Sequence, residues 1–228
     1  MSGFSALLFD LDGTIIDSAP DVCASVNRAL ETMDRPPITL DDTKALVGFG
    51  ARILVEKALE KTGAPGSEED VDFLLAGFLD SYRQNPSEHS KVFPGARAAL
   101  DRLVAAGVAL GVCTNKPEVT CFPVLDAFDL KRYFPTVICG DTLEYRKPDP
   151  RHVFYTLEKM GAARENAAFI GDSEADILAA NNAGLPSVLV TFGYCHVPFD
   201  SLGANAVIDH FDDLDEALNV IAGQRMVK

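Results

Sequence analysis

Five short runs in this chain are apolar from end to end, and each stops at a turn signal: SALLF (5–9), VALGVC (108–113), TVICG (136–140), AAFIG (167–171) and SVLVT (187–191). Strands with one wet face alternate apolar and polar residues, so runs without alternation mark strands covered on both sides. AVID (206–209) is a weaker sixth. Between them lie the helical patterns GARAALDRLVAAG, EVTCFPVLDAFDL, DPRHVFYTLEKMG and EADILAANNAG, with Gly107, Gly161 and Gly184 as stop residues. Strands alternating with helices of this length predict an α/β fold with a Rossmann-like, doubly wound, mostly parallel sheet. The β-branched content of the runs argues against an all-helical chain.

The alternation breaks once. From about Asp17 to Val92 only helical periodicity is visible, in DVCASVNRALETM, ARILVEKALEKTG and SEEDVDFLLAGFLDSYRQN, the last opening on a Ser67 cap with acids in its first turn. A crossover of this length is too long for one βαβ unit. The expected organisation is a catalytic core of residues 1–16 and 93–228 with a helical cap subdomain, 17–92, inserted after the first strand. No repeat or low-complexity tract interrupts it.

A formal net charge of −14 disfavours nucleic acid or an anionic membrane as partner. No stretch approaches the roughly 20 apolar residues that span a bilayer, and MSGFSALLFD lacks the basic start and long apolar segment of a leader. Five scattered cysteines without a C-x-x-C pair read as reduced thiols used for packing, which points to the cytoplasm. A monomer or a homodimer is expected.

In an open parallel sheet, ligands bind where the carboxyl ends of the strands meet. The first strand ends at Asp10 and Asp12, the second at Thr114, Asn115 and Lys116. YRKPDP, with Lys147, follows the third, and GDSEAD, with Asp172 and Asp176, follows the fourth. Any one of these is ordinary turn material; the ordered set is not. Residues two apart on an extended segment point the same way, so Asp10 and Asp12 address one small volume. Four carboxylates gathered there could not all stay ionised alone, and a hard divalent cation on oxygen ligands, Mg²⁺, is the natural remedy. Such a cation and Lys147 would also reverse the negative background for an anionic substrate.

The order D-x-D-G-T, Thr-Asn, Lys-Pro, G-D-x-x-x-D resembles the haloacid dehalogenase superfamily of phosphotransferases. FDLDGTIIDSAPD, GFGARILVEKAL, TNKP, RKPDP, GDSEADILAANNAG and VTFGY together resemble its phosphoglycolate phosphatase branch. The resemblance implies that Asp10 is a nucleophile forming an aspartyl-phosphate and that Asp12 is the general acid, then the base for water. The second Asp points to phosphate ester chemistry. Asp10 and Asp172 through carboxylates, and Asp12 through its carbonyl, are the implied Mg²⁺ ligands, with Asp176 supporting from behind. Capping of the following helix is the competing role for Asp172. Thr114, Asn115 and the backbone near Gly13 are expected to hold phosphoryl oxygens. Lys147, favoured over its neighbour Arg146 by the Lys-Pro pairing, is expected to neutralise phosphoryl charge and keep Asp10 ionised. Lys116 carries no assigned role and reads as a solvated neighbour.

VGFGARI (47–53) puts Gly48 and Gly50 ahead of a helix start with Arg52 just inside, which marks it as the substrate-recognition loop. Hinges near 16–20 and 86–94 would let the cap close. His89, His152, His196 and His210 occupy no motif position. The expected activity is Mg²⁺-dependent hydrolysis of a small phosphate monoester, with 2-phosphoglycolate the leading substrate by resemblance. A phosphosugar phosphatase or phosphomutase of the same superfamily is the alternative. A phospho-Asp receiver module is more remote, because the inserted cap and the placement of Asp12 do not fit it.

Overall fold

The computed structural model describes residues 3–226. Its centre is a six-stranded sheet built from β1 (Ala6–Phe9), β4 (Ala109–Cys113), β5 (Thr136–Ile138), β6 (Ala167–Gly171), β7 (Ser187–Val190) and β8 (Ala206–Ile208). These are the six runs of the sequence, and every pairing is parallel. Their order is β5-β4-β1-β6-β7-β8. The chain works outward from β1 on one side and returns to start the other side at β6, so the strand order reverses beside β1. That reversal opens a crevice at the carboxyl ends of β1 and β6.

Both sheet faces are covered, as the unbroken apolar runs require. Leu7 and Phe9 pack with Leu100 and Leu103 of α5 (Ala96–Ala105), Val124 of α6 (Glu118–Ala127) and Leu218 of α9 (Leu214–Met226). Ala6 and Leu8, one residue out of phase, meet Val153 and Leu157 of α7 (Pro150–Met160) and Ala179 and Ala183 of α8 (Glu174–Ala183).

The insertion that follows β1 carries four helices ahead of α5: α1 (Ala19–Glu31), α2 (Leu40–Lys44), α3 (Ala51–Lys61) and α4 (Glu68–Gln84). Ser67 caps α4 through a box with Asp70. The short α2 escapes the periodicity reading, yet its Thr39–Asp42 capping box is written in the sequence. The long α9 is also absent from that reading, although Leu214, Ala217, Leu218 and Ile221 are buried at helical spacing. Two strands of two residues each, β2 (Ile16–Asp17) and β3 (Lys91–Val92), pair antiparallel where the chain leaves and re-enters the sheet region. The buried Asp21 carboxylate ties the same two crossings together by accepting from His89 N (2.8 Å), Ser90 N (2.8 Å) and the Ser90 hydroxyl (2.5 Å).

Candidate active site

Asp10 is the first residue past β1, and its N–H still donates to Ile170 O of β6 (3.0 Å), which fixes its carboxylate at the sheet edge. The next turn closes tightly: Gly13 N donates to Ile16 O (2.8 Å) and Leu11 O accepts from Ile15 N and Ile16 N (both 3.0 Å). Gly13 is required twice over. Its φ is +81°, and a Cβ there would lie 2.2 Å from Asp172 Oδ2. This closeness lets Asp172 reach the turn. Its Oδ1 accepts from the Thr14 hydroxyl and its Oδ2 from Tyr194 N, both at 2.7 Å. Ser173, not Asp172, is the N-cap of α8, with Asp176 closing its capping box.

Lys147 stands between the acids. Its Nζ is 3.0 Å from Asp10 Oδ1 and 2.5 Å from Asp176 Oδ1. The other Asp176 oxygen accepts from Asp172 N, Ser173 N and the Ser173 hydroxyl, so both its oxygens are engaged in holding the site together. Asp10 differs. The ammonium approaches its Oδ1 off the hydrogen-bond direction, and this buried oxygen has no hydrogen-bond partner among the described residues.

The charge count exposes the problem this site must solve. Asp10, Asp172 and Asp176 bring carboxylate oxygens within 4.8 Å of one another, and all three are buried with Lys147. Three carboxylates and one ammonium leave two uncompensated negative charges. The titration of the groups reflects it. Burial, reinforced by Asp176, pushes Asp10 up to about 6 against the pull of Lys147 and the Thr114 hydroxyl. Burial and Asp176 also push Asp172 well up. Lys147 moves upward despite burial, because Asp10 and Asp176 face it. A divalent cation on hard oxygen donors would close this balance, so the residues present fit such an ion.

A second pair lies beside the first. Lys116 Nζ is 3.0 Å from both oxygens of Asp12 and 2.9 Å from the Tyr82 hydroxyl of α4, with the Tyr82 ring centre 4.3 Å away. These groups, with Asp10, Thr114 and Asn115, border a pocket whose opposite wall is Val22, Leu46, Val47, Leu54 and Phe78. The pocket is partly open to solvent and offers about 40 Å³ of space, room for about three waters at 10–15 Å³ each.

Residues 7–190 match the family described as haloacid dehalogenase-like hydrolase. The chain belongs to this family. Its relatives include the phosphoglycolate phosphatase of Agrobacterium fabrum, 44% identical with 92% of this chain and 91% of that one covered. Another is the phosphoglycolate phosphatase of Caulobacter vibrioides, 41% identical over 93% and 90%. The crystal structure of a predicted phosphoglycolate phosphatase from Haemophilus somnus superposes with a TM-score of 0.90 at 31% identity, covering 95% of this chain and 98% of that one. The chain is thus a hydrolase of a family whose matched relatives are phosphatases, and a small phosphate ester is its class of substrate.

Within this family frame, the structure gathers Asp10, Asp12, Thr114, Lys147, Asp172 and Asp176 at one sheet edge, and it alters three expectations. Arg52 does not face the pocket. Its guanidinium is engaged by Glu56, Glu68 and Asp72 on the outer surface, because the first turns of α3 and α4 lie side by side there. The Asn115 side-chain amide already has protein partners. Its Oδ1 accepts from Lys147 N (3.0 Å), and its Nδ2 donates to Lys147 O (3.0 Å) and to Gly48 O (2.9 Å). That places Asn115 as a clamp on the Lys147 backbone and on the Gly48–Gly50 loop, which lines the pocket through backbone alone. Lys116 is not a solvated neighbour: its side chain is 3% exposed. Tyr194, quoted above only within VTFGY, also joins the site. Its hydroxyl donates to Asp17 Oδ1 (2.7 Å) and accepts from Ala19 N (3.0 Å). The histidines are elsewhere; His152 Nε2 meets Cys139 O at 3.1 Å inside the core.

Proposed function

We propose that this hydrolase is a phosphoglycolate phosphatase that splits 2-phosphoglycolate into glycolate and phosphate through a phospho-Asp10 intermediate. Asp10 attacks phosphorus, and the ester oxygen leaves with a proton from Asp12. Asp12 then takes a proton from water, whose oxygen attacks the same phosphorus and regenerates the Asp10 carboxylate. Lys147 and the Thr114 hydroxyl stabilise charge on the transferring group. Mg²⁺, held by Asp10, Asp172 and the Asp12 carbonyl, would supply the positive charge that the phosphoryl oxygens require. Asp176, saturated by Lys147 and the α8 N-terminus, orients Lys147.

One observation carries this reading: the Asp10 Oδ1, ion-paired to Lys147 but without a hydrogen bond, buried at the strand end with Asp12 beside it and a pocket in front. Residues 17–92 act as the cap, closing on residues 1–16 and 93–228 about the β2–β3 crossing to exclude water. The free cysteines fit a reducing, cytoplasmic setting.

The test is phosphate release from a panel of small esters with Mg²⁺, including 2-phosphoglycolate, hexose phosphates and p-nitrophenyl phosphate. Preference for 2-phosphoglycolate is expected. Preference for a hexose phosphate would replace this substrate with a phosphosugar.

A further inference from the structure

We propose that Lys116, assisted by the Tyr82 hydroxyl, binds the substrate carboxylate and makes the enzyme selective for phosphorylated 2-hydroxy acids over phosphate esters whose organic part is uncharged. This rests on the phosphatase reading above and adds the group that chooses the substrate. Among the described residues, Lys116 is the one cation that borders the pocket. Lys147 is committed to Asp10 and Asp176, and Arg52 is turned to the outer surface among three acids. Arg146 packs over Gly50, where a Cβ would lie 3.0 Å from its Nη1, and is not part of the pocket wall. The wall of Val22, Leu46, Val47, Leu54 and Phe78 is apolar and carries no charge for a charged substrate end.

The position of Lys116 matches the chemistry of the substrate. Its Nζ lies 3.0 Å from both oxygens of Asp12, the group that must touch the leaving oxygen. In a phosphorylated 2-hydroxy acid a single carbon separates that oxygen from the carboxylate, so a leaving group docked on Asp12 brings its carboxylate to Lys116. Donors remain for it. One bifurcated N–H serves the equidistant Asp12 oxygens, a second reaches Tyr82 (2.9 Å), and the third is left for a ligand. The Tyr82 oxygen accepts from Lys116, so its own hydrogen is free to join the same carboxylate. Tyr82 comes from α4 and Lys116 from the sheet edge, so the anion would be held only when both regions are in place.

The experiment compares kcat/KM for 2-phosphoglycolate and ethyl phosphate, with glycolate binding measured by calorimetry as a readout independent of turnover. Lys116→Met should lower the ratio of the two kcat/KM values about 10- to 150-fold, the range for a hydrogen bond to a charged group, and weaken glycolate binding. Tyr82→Phe, a mild change that keeps the ring, should shift the ratio in the same direction by several-fold. Lys116→Arg should recover part of the loss, and Arg146→Gln should leave the ratio within about two-fold. Equal losses on both substrates would overturn the proposal and leave Lys116 as a partner of Asp12 only. A ratio lost in Arg146→Gln would overturn it in favour of Arg146. Wild-type turnover of ethyl phosphate but not 2-phosphoglycolate would overturn it while sparing the phosphatase reading; turnover of neither would end both.

Discussion

Asp10 and Asp42 are the same residue type in opposite situations. Asp10, sealed at the sheet edge, is pushed up to about 6 by burial and by Asp176. Asp42, on the surface of the helical insertion, is drawn down to about 2 by hydrogen bonds from Lys61 and Thr39. The cations repeat the contrast. Lys147 is buried among acids it does not fully neutralise, whereas Arg52 lies in water with more acidic partners than it needs. Exposed ion pairs contribute little, while a buried group facing unbalanced charge is costly and persists where a ligand is meant to complete it. The sheet edge is therefore built for an incoming charge, and the outer surface of the insertion is already satisfied.

The contrast can be broken most sharply by removing one acid from each region. Asp10→Asn should lower phosphate release by about 10⁴-fold or more, whereas Asp42→Asn should leave it within about two-fold in the same steady-state assay. Retained turnover in Asp10→Asn would erase the distinction.

Removing the cations should separate the regions in stability. Lys147→Met leaves buried carboxylates without their partner and should cost about 3–5 kcal/mol in urea unfolding. Arg52→Met should leave the urea midpoint nearly unchanged, and with it the selectivity between 2-phosphoglycolate and p-nitrophenyl phosphate. A large selectivity loss in Arg52→Met would restore that residue to the recognition role its position in GFGAR suggested.

The pH dependence should have opposite signs. The folded-state pKa of Asp10 lies above its unfolded value of 3.8, so its contribution is fully present below pH 3.8 and lost as pH rises through about 6. Metal-free wild-type protein should thus lose stability relative to Asp10→Asn as pH rises across that window. Asp42 has a lowered pKa, so its contribution is present above pH 3.8 and lost as pH falls through about 2. Unfolding curves of the two Asn variants against wild type, with a chelator present, measure both signs.

The ion itself should also act on the fold. Adding Mg²⁺ at 100 times its dissociation constant should stabilise wild type by about 2.7 kcal/mol and Asp172→Asn by much less. Equal stabilisation of the two in thermal melts would remove Asp172 from the ligand set.

The same contrast explains what could be read from the sequence. Buried strands must be continuously apolar, so all six sheet strands were visible, and their ends brought Asp10, Thr114, Lys147 and Asp172 into view together. The β2–β3 crossing was not visible, because two-residue strands carry no period. Lys116 looked like a surface residue because its environment depends on Tyr82, 34 positions earlier, and burial of that kind leaves no local trace. Arg52 misled for the converse reason: a cation behind two glycines at a helix start looks like an anion site until Glu68 and Asp72 of the next helix are placed against it. Asn115 sat in the expected motif, but only the coordinates show its amide spent on the Lys147 backbone.

The most direct test is to catch the phosphorylated carboxylate. The enzyme turning over 2-phosphoglycolate with Mg²⁺ would be quenched, reduced with borohydride, which converts an acyl phosphate to an alcohol, and mapped by mass spectrometry. Homoserine at position 10, absent when substrate is withheld, is the predicted result. Steady phosphate release with position 10 unmodified, or with the modification at another acid, would contradict it.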